Sequence, residues 1–283
     1  MKIFKEFEGK TAFVTGAASG MGQAAAICFG GLGCRVAVAA RNPKALETVQ
    51  AIRENGGEAI FVECDVTDDD SVRKAIETTV KTFGSLDYAF NNAGCGADGK
   101  NIPFAPLTEV AESDWQKVIN TNLTGVFHCM KYELLQMQKQ GKGAIVNNAS
   151  IGGLRMAPGF GAYGPSKAGV IAITQTAALE NADKGIRVNV ICPGPTEGTG
   201  LMQDSIDAGA QDAEFMKNHI IHMKKMGTME DVANAVVFLC SEMAGHITGM
   251  AMPVLWISTA RLQSVQMSGG MRLSPLTRVL CST

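Results

Sequence analysis

The chain has 283 residues, of which 46% are hydrophobic and 18% charged, with a formal net charge of -2 and a pI of about 6.1. This near-neutral balance argues against nucleic acid or an anionic membrane as a partner, because both attract basic surfaces. No apolar run approaches the ~20 residues that span a bilayer, and the charged segment 1–10 lacks the apolar core of a secretory signal. We therefore expect a cytoplasmic protein.

The spacing of the cysteines and histidines indicates whether the chain could hold a metal ion or form disulfides. The eight cysteines stand at irregular spacings without a Cys-x-x-Cys pair, and the four histidines do not pair at metal-ligand spacing. Several cysteines lie in apolar runs, where a free thiol behaves as a small hydrophobe. The sequence predicts reduced thiols and no metal site.

Strand and helix patterns alternate along the chain without a linker, which favours one domain over residues 1–254. The predicted strands cover residues 10–15, 34–40, 58–64, 86–90, 143–149, 186–191 and about 250–255. The predicted helices cover residues 20–30, 43–55, 68–83, 111–139, 161–184 and about 228–241. Strands such as 187–191 are continuous rather than alternating, as in a parallel sheet covered on both faces. We expect an α/β fold, a Rossmann-type doubly wound parallel sheet with ligands at the carboxyl ends of its strands.

A glycine-rich turn, residues 15–22, joins the first predicted strand to an alanine-rich helix. A helix N-terminus presents amide groups outward, and the missing side chains let a diphosphate approach the backbone. A turn whose glycines serve only packing is the alternative. In first position, on a strand-turn-helix, the motif is the expected start of a dinucleotide-binding fold.

Tyr163 and Lys167 are four residues apart and therefore share one face of a predicted helix. A free tyrosine is almost wholly protonated at neutral pH. Because an adjacent ammonium favours the phenolate, we expect Lys167 to lower the pKa of Tyr163 and to make the phenol a usable proton donor and acceptor. Ser150, earlier in the chain, would hydrogen-bond the oxygen of a substrate carbonyl or alcohol.

These motifs, together with Asn91-Asn-Ala-Gly94, Asn122 and Pro193-Gly194, resemble the classical short-chain dehydrogenase/reductase family in order and spacing. The likeness runs from about residue 8 to about residue 254. It implies an NAD(P)-dependent oxidoreductase that acts on CH-OH or C=O groups and assembles as a homo-oligomer, a tetramer or a dimer.

The resemblance also implies catalytic roles. Tyr163 is the general acid for carbonyl reduction or the base for alcohol oxidation, and Ser150 orients the substrate oxygen. Lys167 lowers the pKa of the tyrosine and binds the nicotinamide ribose. Asn122 holds a water that links the lysine to solvent; the Asn-x-x-Gly-Val-Phe spacing favours it over the nearby Asn120.

The cofactor is expected along the strand ends. The residues predicted to contact it are Gly16, Ser19, Gly20, Met21, Gly22, Arg41, Asn42, Asp65, Val66, Asn92, Ala93, Gly94, Tyr163, Lys167, Pro193, Gly194 and Thr196. By resemblance, Asp65 faces the adenine amino group and Thr196 holds the nicotinamide carboxamide. Helix capping is the alternative for Asp65, but Thr67 with Asp70 already provides a plausible capping box.

The end of the second strand bears on the choice of nucleotide. An enzyme that selects NAD usually places a carboxylate there, to accept hydrogen bonds from the adenosine ribose. This chain has Ala40, then Arg41 and Asn42. A guanidinium can pair with a 2′-phosphate, so we expect NADP, with a solvated Arg41 and NAD as the alternative. Some NADP-binding members of the family carry a second basic residue where this chain has Ser19.

Substrate-facing residues are inferred from position: Cys95, Gly96, the segment 152–156 and Phe160. The methionine-rich segment at about 195–226 is predicted to be irregular and to fold over the pocket as a lid. Its methionines suit packing about as well as ligand adaptability. Because no cluster of basic residues calls for a phosphorylated substrate, we expect a small, largely apolar ketone or secondary alcohol.

Residues 255–283 depart from the family. Members generally continue the last strand into Val-Asp-Gly-Gly, whereas this chain reads Leu255-Trp-Ile-Ser258 and continues without clear periodicity. An altered reading frame or a divergent extension would explain this atypical tail. In similar tetramers the region packs at a subunit interface, so the departure bears on the oligomer.

Two other functions compete with an NADP-dependent oxidoreductase. One is an NAD-dependent alcohol dehydrogenase of the same family. The other is a nucleotide-binding protein without turnover; such proteins usually lose the tyrosine or the lysine, and this chain keeps both Tyr163 and Lys167.

Overall fold

The computed structural model describes residues 5–96, 98, 101–156, 158–209 and 212–255. Within them a seven-stranded sheet has the strand order β3-β2-β1-β4-β5-β6-β7, and every adjacent pair is parallel. The strands are β1 Thr11–Thr15, β2 Arg35–Ala40, β3 Glu58–Glu63, β4 Tyr88–Asn91, β5 Gly143–Asn148, β6 Ile186–Pro193 and β7 Ala251–Val254. The doubly wound parallel sheet predicted from the sequence is confirmed.

Helices connect the strands and cover both faces of the sheet. The α-helices of the described residues are α1 Gly20–Gly31, α2 Ala45–Glu54, α3 Asp69–Phe83, α4 Glu112–Ile119, α5 Gly125–Gln140, α6 Ile151–Leu154, α7 Tyr163–Asn181, α8 Gly200–Asp207, α9 Ala213–Phe215 and α10 Met229–Cys240. None of the helices in this part of the chain is both long enough and apolar enough to cross a membrane.

Each face of the sheet has its own hydrophobic core. Val36 and Val38 of β2 point into a core shared with α1, α2 and α10, whereas Ala37 and Ala39 of the same strand point into a core shared with α3, α5 and α7. Successive side chains of a strand face opposite sides. A strand buried on both faces therefore shows no polar alternation, which explains the continuous runs in the sequence.

The helix predicted over 111–139 is divided. A π-helical turn, Asn120–Thr124, separates α4 from α5. Asn122 lies in this turn and is fully buried. Such turns are rare and occur frequently at functional sites, so the interruption marks a position that helical periodicity alone does not reveal.

The predicted capping box at the start of α3 is wrong. Asp68 is the N-cap, because its carboxylate accepts hydrogen bonds from the backbone N–H groups of Asp70 at 2.9 Å and Ser71 at 3.3 Å. Thr67 instead donates its hydroxyl hydrogen to Asp65, with an Oγ1–Oδ1 distance of 2.7 Å. The short carboxylate of Asp68 satisfies the first orphan amides of the helix.

The segment predicted to be irregular over about 195–226 contains ordered helices. It holds α8, α9 and a second π-helical turn, Met216–Ile220, around a small core of Phe215, Met216, Ile221 and Met226. The weak periodicity of such short helices hid them from the sequence pattern. The atypical tail predicted over 255–283 lies, apart from Leu255, outside the described residues.

Candidate active site

A cavity of about 860 Å³ opens at the carboxyl ends of the strands. Because the strand order reverses between β1 and β4, this is the switch point at which doubly wound sheets bind ligands. Its volume lies within the ~300–1,000 Å³ typical of ligand sites. The predicted site residues that line it are Gly16, Ser19, Gly20, Met21, Arg41, Asn42, Asp65, Val66, Asn92, Ala93, Gly94, Ser150, Tyr163, Lys167, Pro193, Gly194 and Thr196.

Two predicted site residues, Gly22 and Asn122, are buried and do not line this cavity. A Cβ added to Gly22 would lie 2.5 Å from both the Nδ2 of Asn92 and the carbonyl oxygen of Gly16. The glycine at position 22 is therefore required by close packing behind the turn, which is the alternative role considered for the motif.

The glycine-rich turn has the form of an anion cradle. Gly16 and Gly20 adopt φ values of +63° and +60°, which side chains rarely adopt. A Cβ on Gly20 would meet no atom within 4 Å, so the backbone there faces open space. The side chain of Ser19, the N-cap residue, makes no capping hydrogen bond to α1. The first amides of the helix thus fit a bound diphosphate, as a dinucleotide cofactor requires.

Tyr163 and Lys167 lie in the first two turns of α7, and Ser150 is the N-cap residue of α6, just after β5. The ammonium of Lys167 is buried, donates a hydrogen bond to the carbonyl oxygen of Asn148 at 2.8 Å and lies 5.8 Å from the ring centroid of Tyr163. The hydroxyl oxygen of Ser150 accepts a hydrogen bond from the backbone N–H of Gly152 at 3.0 Å. All three catalytic candidates therefore border one cavity.

Burial shifts the pKa values of both Tyr163 and Lys167. Burial raises the pKa of the Tyr163 phenol, and a hydrogen bond with Ser150 opposes that effect only in part. Burial also lowers the pKa of Lys167 to about 8. Desolvation is the largest influence on the pKa of both groups, and the lowering of the Tyr163 pKa by Lys167 stays a prediction. At neutral pH the phenol is protonated.

Asn122 joins the loop after β4 to α7. Its Oδ1 accepts a hydrogen bond from the backbone N–H of Cys95 at 2.8 Å, and its Nδ2 donates to the Cys95 carbonyl at 2.7 Å and to the Ser166 hydroxyl at 3.0 Å. These contacts position the loop beside Tyr163. The water-binding role of Asn122 stays a prediction.

Charged groups lie at the end of the cavity next to β2. The Arg41 guanidinium, whose side chain is 72% exposed, lies 3.8 Å from the carboxylate of Asp65. Partial burial tends to raise the pKa of Asp65, but hydrogen bonds from Thr67 and the charge of Arg41 outweigh it and lower the value. Asn42 accepts a hydrogen bond from the backbone N–H of Lys44 and shapes the turn before α2.

The opposite end of the cavity is largely apolar. Its predicted members Cys95, Gly152, Met156 and Phe160 line the cavity, whereas Gly96 is buried beneath the Tyr163 ring. Of the predicted segments, 152–156 also contributes Arg155 to the lining, and the predicted lid contributes Met202, Asp212, Phe215 and Met216. Lining residues that the sequence reasoning missed include Lys117, Asn120, Thr121 and Asn148. For Asn148 the available signal was its place at a strand end, two residues before Ser150.

In the part of the chain that the structure describes, no cluster of three or more His, Cys, Asp or Glu side chains is placed to hold a metal ion. The seven cysteines there are free thiols, most of them buried.

Comparison with known proteins supports the same class. Residues 16–254 match a family model described as enoyl-(acyl carrier protein) reductase. The chain is 38% identical over 257 residues to an uncharacterized oxidoreductase of Thermotoga maritima, covering 90% of this chain and 99% of that protein. It is 38% identical over 247 residues to 3-oxoacyl-(acyl-carrier-protein) reductase FabG of Staphylococcus epidermidis, covering 87% and 97%. The crystal structure of NAD+-bound xylitol dehydrogenase has a TM-score of 0.83 at 34% identity, covering 88% of this chain and 99% of that one.

Fold and site together define an oxidoreductase with a dinucleotide-binding sheet. The family match and the relatives make the assignment specific: the chain belongs to the short-chain dehydrogenase/reductase family and is an NAD(P)-dependent enzyme.

Proposed function

We propose that this enzyme is an NADP-dependent oxidoreductase that interconverts a small, largely apolar ketone and the corresponding secondary alcohol, with Tyr163 as general acid and base. The observation that carries the proposal is the convergence of Tyr163, Ser150 and Lys167 on one cavity whose other end is the glycine cradle. The bound nicotinamide supplies or accepts the hydride. The protein supplies position and proton transfer.

The protonation states favour reduction. Because burial raises its pKa, Tyr163 carries the proton that a substrate carbonyl oxygen takes up. The Ser150 hydroxyl donates a hydrogen bond to the same oxygen and holds it near the phenol. Below a pH of about 8 Lys167 is a buried cation beside the ring, so it stabilises the phenolate that remains after proton transfer. In the direction of oxidation the same phenolate would act as the base.

The proposed choice of NADP rests on Arg41. The carboxyl end of β2 presents this guanidinium to the cavity, and Ala40 stands where an NAD-selecting enzyme usually has a carboxylate. A 2′-phosphate would compete with Asp65, 3.8 Å away, for the same cation. That existing ion pair keeps NAD as the alternative, and the xylitol dehydrogenase relative is NAD+-bound.

The proposed substrate class follows from the lining of the other end. Met156, Phe160, Met202, Phe215 and Met216 contribute apolar surface to the cavity that Tyr163 also lines. These side chains suit a ketone flanked by hydrocarbon better than a polyhydroxylated one, because each buried hydroxyl would need a polar partner. We further propose a homo-oligomer in the cytoplasm, as the family resemblance implies.

The nucleotide assignment is tested by titrating the purified protein with NADPH and with NADH side by side. We expect NADPH to bind at least tenfold more tightly. Arg41→Ala should weaken NADPH about 10- to 150-fold, which corresponds to one charge-assisted contact, and should leave NADH nearly unchanged. Lys44→Ala removes a neighbouring exposed cation that does not line the cavity, and serves as the control. Equal or NADH-favoured binding by the unaltered protein would establish the NAD alternative.

A further inference from the structure

A chain of side-chain amides crosses the carboxyl ends of three strands. The Nδ2 of Asn148, at the end of β5, donates to the Oδ1 of Asn92, just after β4, at 2.9 Å. The Nδ2 of Asn92 in turn donates to the carbonyl oxygens of Thr15 at 3.2 Å and Gly16 at 3.3 Å. The two amides thus connect β5 to the glycine-rich turn that follows β1.

The direction of these hydrogen bonds is set at the glycine turn. Two carbonyl oxygens can only accept, so Asn92 must present its Nδ2 to Thr15 and Gly16 and its Oδ1 to Asn148. Asn148 must then present its own Nδ2. Its Oδ1 is left buried and has no hydrogen-bond partner among the residues that the structure describes. An unpaired buried acceptor has a free-energy cost, so packing alone does not account for an asparagine at this position.

The main chain of the same residue holds the catalytic lysine. The carbonyl oxygen of Asn148 accepts the hydrogen bond from the Lys167 ammonium at 2.8 Å. Asn148 is only 4% exposed, and its atoms therefore have little freedom to move. One residue contacts Lys167 through its backbone and reaches the glycine turn through its side chain.

The glycine-rich turn is closely packed, so its backbone has little space for another conformation. A Cβ on Gly16 would lie 2.9 Å from the Cα of Ala93, and one on Gly22 would lie 2.5 Å from the Nδ2 of Asn92. The Asn92 amide is therefore enclosed by the turn, and rotation of that amide would displace the backbone that faces the cavity. Asn148 prevents this rotation by fixing the Oδ1 of Asn92.

We propose that Asn148 is a positioning residue, which holds the glycine turn at a fixed place relative to Lys167 and so prepares the cavity for the nucleotide. The inference rests on the proposed function, because the ligand concerned is the dinucleotide. It concerns affinity for that nucleotide rather than proton transfer, since the carbonyl that holds Lys167 belongs to the main chain and remains after substitution.

The test measures the dissociation constants of NADPH and NADH for Asn148→Leu. Binding of the preferred nucleotide should weaken about threefold to tenfold, the range expected for one neutral hydrogen bond. At saturating nucleotide, the pH profile of kcat should be unchanged because the Lys167 contact persists. Asn148→Ala, which adds no bulk, is measured in parallel so that a folding defect in one variant does not decide the result.

Asn189→Leu is the matched control. Asn189 is also buried in a parallel strand and bonds a neighbouring loop through Ile247 and Met250, but it does not line the cavity. It should lower stability without changing nucleotide affinity. If Asn189→Leu weakens binding as much as Asn148→Leu, the effect is general destabilisation and the inference fails.

A double-mutant cycle tests the route through Asn92. In an Asn92→Ala background, Asn148→Leu should weaken binding no further, because its partner is already gone. Fully additive effects would overturn the inference. If the unaltered protein binds neither nucleotide, the proposed function fails and the inference fails with it. If it binds one and both Asn148 variants bind equally well, only the inference fails.

Discussion

The cavity has two walls that are built in different ways. The strand-end wall, formed after β1, β4 and β5, is held by buried amides that bond main-chain groups, as Asn92 bonds Thr15 and Gly16. The segment wall, residues 199–209 and 212–221, consists of short helices around a small apolar core. Directional hydrogen bonds fix one position, whereas flexible methionines accommodate several shapes. The first wall suits an unvarying nucleotide, and the second suits a substrate whose shape differs among enzymes.

Behind the strand-end wall, β4 and β5 also carry buried polar side chains. On the sheet face away from the glycine turn, the Nδ2 of Asn91 donates to the Glu133 carboxylate and to Asn147, each at 2.9 Å. Asn147 donates in turn to Thr174 of α7 at 2.8 Å. Glu133 is fully buried, and burial raises its pKa to about 8. The wall is therefore connected to the helix of Tyr163 through both Asn147 and Asn148.

The largest expected effect comes from removing the phenolic hydroxyl of Tyr163, which lines the cavity between the two walls. Tyr163→Phe deletes the phenolic proton while keeping the ring. We expect turnover to fall about 10²- to 10⁴-fold, as for loss of a general acid. NADPH affinity should change by less than about threefold, because the glycine turn is untouched. Steady-state kinetics and nucleotide titration on the same preparation check both values.

Ser166→Ala provides the comparison within α7. It removes a hydroxyl that bonds Asn122 and the Tyr163 carbonyl but does not line the cavity. Ser166→Ala should lower turnover much less than Tyr163→Phe does. Unchanged turnover in Tyr163→Phe would mean that Tyr163 is not the general acid.

Sequence patterns predicted the strand-end wall better than the segment wall. The strand-turn-helix around Gly16 and the spacing of Tyr163 and Lys167 are local features, and the structure brings them to one cavity. The buried Glu133 was not recognised, because a lone glutamate in a helix resembles a solvated charge. Its burial depends on Asn91, which is 42 residues away in sequence. Burial likewise set the pKa of Tyr163, which local spacing could not reveal.

The second largest expected effect is on the pH dependence of stability, and it comes from the buried Glu133 behind the strand-end wall. Between a pH of about 4.5 and about 8, folded Glu133 retains a proton that the unfolded chain has released. The contribution of Glu133 to folding stability is therefore fully present below this interval and falls as the pH rises through it, by on the order of 1 kcal/mol per pH unit. Glu133→Gln keeps a neutral group of the same shape and should remove that slope. Chemical denaturation at several pH values measures it.

The nearby thiols do not complicate this interval. Burial raises the pKa of Cys64 to about 12 and that of Cys129 well above its usual value, so both stay neutral. Glu63→Gln makes the same change at an exposed position and should leave the slope as it is. A slope that persists in Glu133→Gln would mean that Glu133 is ionised in the folded protein.

The smallest expected effect is on the segment wall. Met216→Leu conserves volume at a position in the small core and beside the cavity, so the free energy of unfolding should change by less than about 1.5 kcal/mol. The branched side chain is stiffer than methionine, so KM should shift by a few-fold, and differently for ketones of different width. Nucleotide affinity should remain constant, because no residue of the glycine turn contributes to this core. If NADPH binding weakens as much as KM rises, the two walls are mechanically one unit and the division of roles between them is wrong.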